Sequence, residues 1–197
     1  MRASACRLPP RRGKCYGFYR LVPPPDIDVE ILSALNGPGP QWIDEVMRAA
    51  SNNGVLLAIA ALAVIYLWLK SPQRALAAVL LAAAIGIADL LAVRVIKPQV
   101  DRARPCKVDP FRVKHPLGCG SGQSFPSAHA STTAAAATIF AWGAPRLSFF
   151  GIVLCVVVGI SRVYLGVHWP TDVLGGWALG AAVGAILIAL SRLRYLR

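Results

Sequence analysis

Five long apolar segments dominate the pattern of hydrophobic and polar positions, at about 55–69, 75–96, 130–142, 147–160 and 173–190. A membrane-spanning helix needs about 20 residues, so the first, third and fourth segments must extend into their flanks. A soluble protein is a poor alternative, since so few other residues would have to cover five nearly all-apolar helices. The pattern predicts an all-α integral membrane bundle with about five transmembrane helices.

Two shorter stretches within residues 27–50 also have helical spacing, with a break at 36–40 (Asn-Gly-Pro-Gly-Pro). They are too short and too charged to cross a bilayer. We expect N-terminal amphipathic helices that lie at the membrane interface, with Trp42 at the depth of the lipid headgroups. Near the other end, Gly176, Gly180 and Gly184 form a stripe of small residues that permits close contact between helices.

Composition adds an unexpected positive charge to this apolar chain. Of its 197 residues 56% are hydrophobic and only 15% charged, yet the formal net charge is +12. The apolar content excludes disorder for most of the chain and argues against a nucleic-acid-binding protein. Residues 1–25 are basic, rich in proline and free of acids, which predicts a flexible tail ahead of a membrane-embedded domain over 26–197.

The connections between the apolar segments differ in their polarity. Two are short turns, near 70–74 and 143–146, and two are polar, at 97–127 and 161–172. Counting membrane crossings places both polar connections on one face. That face therefore collects nearly all the side chains capable of chemistry.

Cations on this face indicate an anionic ligand. Lys97, Arg104 and Arg162 converge there without an equal number of acids, and arginine offers forked donors that match phosphate oxygens. Ser127 stands at the predicted start of a helix, where free N–H groups and the helix dipole attract phosphate.

Two histidines and an aspartate complete the candidate site. His129 and His168 beside a bound phosphate suggest one nucleophile and one proton donor. Asp172 follows His168 by four residues and is placed to orient the imidazole and to stabilise its cationic form. A metal site made of the same three residues is the alternative, and the nearby cations argue against it.

The three polar clusters resemble the signature of the type 2 phosphatidic-acid phosphatase superfamily, which also includes vanadium haloperoxidases. That signature reads Lys-x6-Arg-Pro, then Pro-Ser-Gly-His, then Ser-Arg-x5-His-x3-Asp. The first and third motifs match at 97–105 and 161–172. The second departs once, because Ala128 stands where glycine is usual, although alanine keeps the backbone N–H.

The resemblance implies a mechanism for the candidate residues. His168 would attack phosphorus and form a phosphohistidine, Asp172 would orient it, and His129 would protonate the leaving oxygen and then activate water. The phosphoryl oxygens would bind a further set: Lys97, Arg104, Ser127, Arg162 and the Ala128 amide. No metal and no other cofactor is implied.

Other polar residues receive plainer interpretations. Arg102, Lys107, Arg112 and Lys114 are expected to form a solvated basic rim. Asp89 lies within an apolar segment, where a carboxylate is costly, so we expect it to pair with Arg94 or with a neighbouring helix. Cys106 and Cys119 enclose twelve residues of the polar loop and are either bridged by a disulfide or left as free thiols.

Substrate and membrane orientation follow from the resemblance and from the charge of the connections. The short turns carry cations and no acids, which suits the cytoplasm, so the site is expected to face outward. The chain resembles short bacterial undecaprenyl-diphosphate phosphatases of the plasma membrane. Phosphatidic acid, phosphatidylglycerol phosphate, lipid A and polyprenyl-sugar phosphates stay open as substrates. A non-catalytic membrane scaffold is the rival from another class, and a haloperoxidase is disfavoured by the membrane helices.

Overall fold

The computed structural model describes residues 24–109 and 112–193, and these contain helices and no strands. The predicted tail over 1–25 therefore lies almost entirely outside the described residues. The longer helices are α1 (Asp26–Leu35), α2 (Gln41–Ala50), α3 (Asn53–Lys70), α4 (Arg74–Leu90), α7 (Ala128–Gly143), α8 (Ser148–Tyr164) and α9 (Pro170–Leu193). A π-helical turn (Leu91–Ile96) joins α4 to α5 (Lys97–Val100), and α6 (Pro105–Val108) is one turn long. The predicted all-α class is confirmed.

Four segments of the described chain are long and apolar enough to cross a membrane: Asn53–Lys70, Ala75–Val108, Pro145–Tyr164 and Pro170–Leu193. The remaining predicted span, the third segment at 130–142, corresponds to α7, which has only 16 residues. At 1.5 Å per residue it is about 24 Å long, shorter than the hydrocarbon core of about 30 Å. This short helix is the centre of the bundle and packs against α4, α8 and α9.

The glycine stripe of α9 faces α7, as its spacing predicts. A Cβ atom at Gly176 would lie 2.6 Å from the carbonyl oxygen of Ser127, and one at Gly184 would lie 2.7 Å from Thr138 Cβ. Glycine thus lets the two backbones approach, and this close packing fixes the start of α9 against the start of α7.

Both N-terminal stretches are helices, and they do more than lie on the surface. The helix α1 packs against α8 and α9, with Leu32 buried among Val163 and Trp169. Its Asp28 is fully buried. The helix α2 packs against α8 and α3 and leaves Trp42 65% exposed.

The two polar connections touch each other at one end of the bundle. The Cys106 amide donates to the Gly166 carbonyl at 3.3 Å, and the Arg104 guanidinium donates to the Val167 carbonyl at 3.0 Å. Gly166 has φ +68°, and a Cβ there would lie 2.4 Å from the Lys114 carbonyl oxygen, so this turn requires glycine. The side chains predicted to share one face are therefore brought together.

Candidate active site

The starts of α7 and α9 form the floor of the site. Ser127 caps α7, where its Oγ accepts a long hydrogen bond from the Ala130 amide at 3.5 Å. The Ser127 amide donates to the Asp172 carbonyl at 3.0 Å, which ties the two helix starts together. Ala128 opens α7 with a negative φ, so alanine causes no backbone strain where the family signature has glycine.

His168 lies between a carboxylate and a guanidinium. Its Nδ1 is 3.4 Å from Asp172 Oδ2, an ion-pair distance, and its Nε2 is 3.3 Å from Arg104 Nη1. Arginine can only donate, so the contact assigns the lone pair to Nε2 and the proton of the neutral ring to Nδ1, towards Asp172. This is the tautomer that a nucleophile at Nε2 requires.

Burial determines the charge state of this histidine. His168 is 2% exposed, and desolvation, together with the cations Arg104 and Arg162 and against Asp172, lowers its pKa from 6.5 to about 3. The ring is therefore neutral at neutral pH and keeps a lone pair on Nε2, beside Arg104 Nη1.

The site cations are held by carbonyl groups. Lys97 Nζ donates to the carbonyls of Gln123 at 2.8 Å and Ser124 at 3.2 Å, and Lys97 itself is 7% exposed. Within the described residues neither Lys97 nor Arg162 has a carboxylate within ion-pair distance. Their positive charge thus stays available to an anionic ligand.

Buried polar atoms without a hydrogen-bond partner concentrate here. In the described part of the chain there are four such side-chain atoms: His129 Nε2, Arg162 Nε, His168 Nδ1 and Trp177 Nε1. Three of them belong to the predicted site. Leaving a buried polar group unpaired costs about 1–3 kcal/mol, which a ligand with several oxygens would recover at His129 Nε2 and Arg162 Nε.

A cavity of about 660 Å³ leads from the site into the bundle. His129 and Ala128 line it, and most of its wall is apolar, including Leu57, Phe140 and Phe150. Asp89 also lines it and is exposed. Across the described residues Asp89 forms no ion pair, so the expected pairing with Arg94 or a neighbouring helix is wrong.

The expectation of a solvated basic rim is also partly wrong. Arg112 is exposed, as expected, but Arg102 is 7% exposed and forms ion pairs with Asp28 at 2.5 Å and Asp172 at 2.7 Å. Lys114 is paired with Asp44 at 2.8 Å, and Lys107 is half-buried and donates to the Gly122 carbonyl at 3.1 Å. The pairing of Arg102 with Asp28 and Asp172 was not predicted.

The spacing of residues in α1 does contain a signal that Asp28 is buried. Asp28, Leu32 and Leu35 are spaced four and three residues apart, so the carboxylate shares the apolar face of α1. A carboxylate in that position needs a buried cation as its partner.

Two other expectations concern a metal and a disulfide. Between residues 24 and 193, with 110–111 outside the description, no three His, Cys, Asp or Glu side chains come together as metal ligands. Cys106 and Cys119 are joined by a disulfide, whereas Cys155 is free and buried.

Comparison with known proteins identifies relatives of this arrangement. The PAP2 superfamily profile matches residues 75–195. A decaprenylphosphoryl-5-phosphoribose phosphatase from Mycobacterium tuberculosis is 44% identical over 103 residues, which cover 51% of this chain and 54% of that protein. An undecaprenyl-diphosphatase from Sulfolobus acidocaldarius is 38% identical over 68 residues, which cover 34% of this chain and 33% of that one. The matched regions thus span about half or less of these relatives.

The fold is also similar to that of a solved relative. The crystal structure of a transmembrane PAP2 type phosphatidylglycerolphosphate phosphatase from Bacillus subtilis superposes with a TM-score of 0.68 at 30% identity. The superposition covers 85% of each chain. The two proteins therefore share this helical bundle over most of their length.

Proposed function

Because this chain belongs to the PAP2 superfamily, we propose that it is a membrane phosphatase that hydrolyses a lipid phosphate through a phosphohistidine. The observation that carries the proposal is the joining of two features in one site. A buried cationic pocket holds unpaired donors, and an apolar cavity begins at His129. A phosphate with an apolar chain has the chemistry to fill both.

The first step transfers the phosphoryl group to the enzyme. The His168 Nε2 lone pair forms a bond to phosphorus while the bond from phosphorus to the leaving oxygen breaks, and His129 supplies a proton to that oxygen. The ring then carries a positive charge, which Asp172 stabilises from the Nδ1 side.

The second step regenerates the free histidine. His129 takes a proton from water, the resulting oxygen attacks phosphorus, and the bond from phosphorus to Nε2 breaks to release inorganic phosphate. Lys97, Arg104 and Arg162 would hold the phosphoryl oxygens with the Ser127 hydroxyl and the Ala128 amide, and so stabilise the transition state.

Polyprenyl phosphates are the substrate class that we propose. The cavity wall is apolar along α3, α4 and α7, which suits an isoprenoid chain. Relatives named for decaprenyl and undecaprenyl substrates favour the same class. Hydrolysis of undecaprenyl diphosphate to the monophosphate is the first candidate, and the mycobacterial relative supports a polyprenylphosphoryl-pentose phosphate as the second.

We place the enzyme in a bacterial plasma membrane with the site on the outer face. The disulfide in the polar loop supports this orientation, since disulfides persist in oxidising compartments. Single cysteines introduced at Leu117 and after Arg197 should differ in labelling by an impermeant thiol reagent on intact cells. Labelling of the C-terminal cysteine alone would reverse the orientation.

Phosphate release from a lipid panel tests the function. The panel contains undecaprenyl diphosphate, decaprenylphosphoryl-5-phosphoribose, phosphatidylglycerol phosphate, phosphatidic acid and lipid A. We expect turnover of a polyprenyl substrate, a loss of at least about 10³-fold in His168→Ala, and a change below about twofold in the loop control His115→Ala. No turnover would favour a scaffold, and equal turnover in His168→Ala would refute the phosphohistidine.

A further inference from the structure

We infer that Asp28 and Arg102 are positioning residues of the phosphatase, which act on His168 through the charge and orientation of Asp172. The inference rests on the proposed function. It adds the N-terminal helix α1 to the machinery, although α1 precedes the residues that match the superfamily.

A continuous buried network links α1 to the nucleophile. Arg102 Nη2 contacts Asp28 Oδ2 at 2.5 Å, and Arg102 Nη1 contacts Asp172 Oδ1 at 2.7 Å. The exposed fraction of the three side chains is 8% for Arg102 and 0% for both carboxylates. Asp172 presents its second oxygen, Oδ2, to His168 Nδ1 at 3.4 Å.

Thr171 completes the connection between α1 and α9. Its amide donates to Asp28 Oδ1 at 2.8 Å, and its hydroxyl donates to Asp28 Oδ2 at 2.6 Å while it accepts from Arg102 Nη1 at 2.7 Å. All three contacts of Asp28 are thus made with donors, which only a carboxylate can satisfy at both oxygens. The contacts with Asp28 and Thr171 hold the Arg102 guanidinium in contact with Asp172.

The two oxygens of Asp172 are used differently. Oδ1 accepts from Arg102, whereas Oδ2 accepts from the Ser124 hydroxyl and from the Trp169 amide at 2.8 Å. Arg102 thereby helps to fix the carboxylate orientation in which Oδ2 faces His168. A rotation of this carboxylate would present Oδ1 to the ring and break the contacts of Oδ2 with Ser124 and Trp169.

The charge of Asp28 matters as much as its shape. Asp28, Arg102 and Asp172 together carry a net charge of −1 in a buried region, and the phosphohistidine ring adds +1. Without Asp28, the guanidinium would neutralise Asp172, so less negative charge would face the cationic ring. With Asp28 present, Arg102 is already offset and Asp172 acts on His168 with its charge largely intact.

Asp28→Asn is therefore expected to lower kcat and to spare KM. The cations that bind substrate, Lys97, Arg104 and Arg162, do not contact Asp28, so ground-state binding is retained. We expect kcat for phosphate release to fall about 10- to 100-fold with KM changed by less than about twofold. General structural damage would instead raise KM, or would lower the fraction of active enzyme while kcat per active site stays unchanged.

A double-mutant cycle tests whether Asp28 acts through Arg102. In an Arg102→Gln background, Asp28→Asn should lower kcat by less than about twofold further, because the link from Asp28 through Arg102 to Asp172, called the relay below, is already broken. The matched control is Asp26→Asn, on the exposed side of the same helix, with kcat expected within about twofold of wild type. Equal fold-losses from Asp28→Asn in both backgrounds, or an unchanged kcat, would overturn the inference.

A milder variant covers the case in which Asp28→Asn does not yield a monodisperse protein. Thr171→Val keeps the side-chain shape and removes the hydroxyl that joins Asp28 to Arg102, so kcat should fall about threefold, again only with Arg102 present. An unchanged kcat in Thr171→Val would then refute the relay. A wild-type chain that turns over no lipid phosphate would instead refute the proposed function, and a relay in catalysis with it.

Discussion

Gly180 gives a direct test of how tightly the site depends on the contact between α7 and α9. A Cβ atom at this position would lie 2.0 Å from the Ser131 carbonyl oxygen and 2.8 Å from the Ala135 amide nitrogen. Carbon–oxygen contacts between helices are normally at least about 3.3 Å, so the helices must separate by about 1 Å. The neighbours are backbone atoms and cannot rotate away.

Overpacking of this kind costs about 1–3 kcal/mol, and in a chain of this size each kcal/mol lowers Tm by about 2–4 °C. We therefore expect Gly180→Ala to lower Tm by about 2–12 °C in detergent micelles, followed by circular dichroism. Activity should fall too, because the separated helices would strain the hydrogen bond between the Ser127 amide and the Asp172 carbonyl.

Gly86→Ala is the matched control. It makes the same substitution within α4, but a Cβ there meets nothing within 4 Å. Higher helix propensity predicts an unchanged or slightly raised Tm for this control. If both substitutions changed Tm equally, or if Gly180→Ala left Tm unchanged, the close packing of α7 on α9 would be refuted as the support of the site.

Three further predictions concern charge, the anion site and the disulfide. His168 has a pKa lowered by burial to about 3, so the unfolded chain binds the extra proton below pH 6.5 and stability falls on acidification. Tm measured between about pH 6.5 and 4.5 should therefore fall less in His168→Gln than in wild type; parallel curves would contradict this. Orthovanadate at 100 times its Kd should raise Tm by about 5–11 °C. This rise should disappear in Arg162→Gln. It should persist in the control Arg146→Gln, which changes an exposed arginine in a turn. Loss of both shifts, or of neither, would rule out Arg162 as an anion ligand. The double substitution Cys106→Ser and Cys119→Ser removes a loop closure worth about 3 kcal/mol and should lower Tm by about 6–12 °C. Reductant should produce the same fall in wild type and none in the double variant, whereas a wild type insensitive to reductant would show that the bridge does not stabilise the loop.

Much of the fold follows from local signals in the sequence. Apolar runs predict α3, α4, α8 and α9, although those of α3 and α8 reach the length of a span only with their flanks, and the glycine stripe predicts which face of α9 is packed. The short helix α7 is harder, because its 16 residues lie inside the bundle and do not need to match the thickness of the hydrocarbon core. Its length reflects packing with neighbouring helices, which a local pattern does not contain.

The candidate site could be predicted from the sequence only where its residues stand in motifs. Ser127, His129, His168 and Asp172 lie at helix starts or in turns whose spacing is local, so the sequence indicates them. Asp28 and Arg102 are 74 residues apart, and their pairing depends on how α1 docks onto the bundle. Only the tertiary structure brings them together.

Three cations on the same face show why residue type and net charge do not define a phosphate site. Lys97 is held by carbonyl oxygens and keeps its charge for a ligand, whereas Arg102 is neutralised by two buried carboxylates. Arg162 retains a buried Nε without a hydrogen-bond partner in the described chain. The usable positive charge is therefore the part that no carboxylate neutralises. By this criterion Lys97 and Arg162 can bind phosphate oxygens, whereas Arg102 can only orient Asp172. Substitution of Lys97 or Arg162 should therefore change KM as well as kcat, and substitution of Arg102 should change kcat alone.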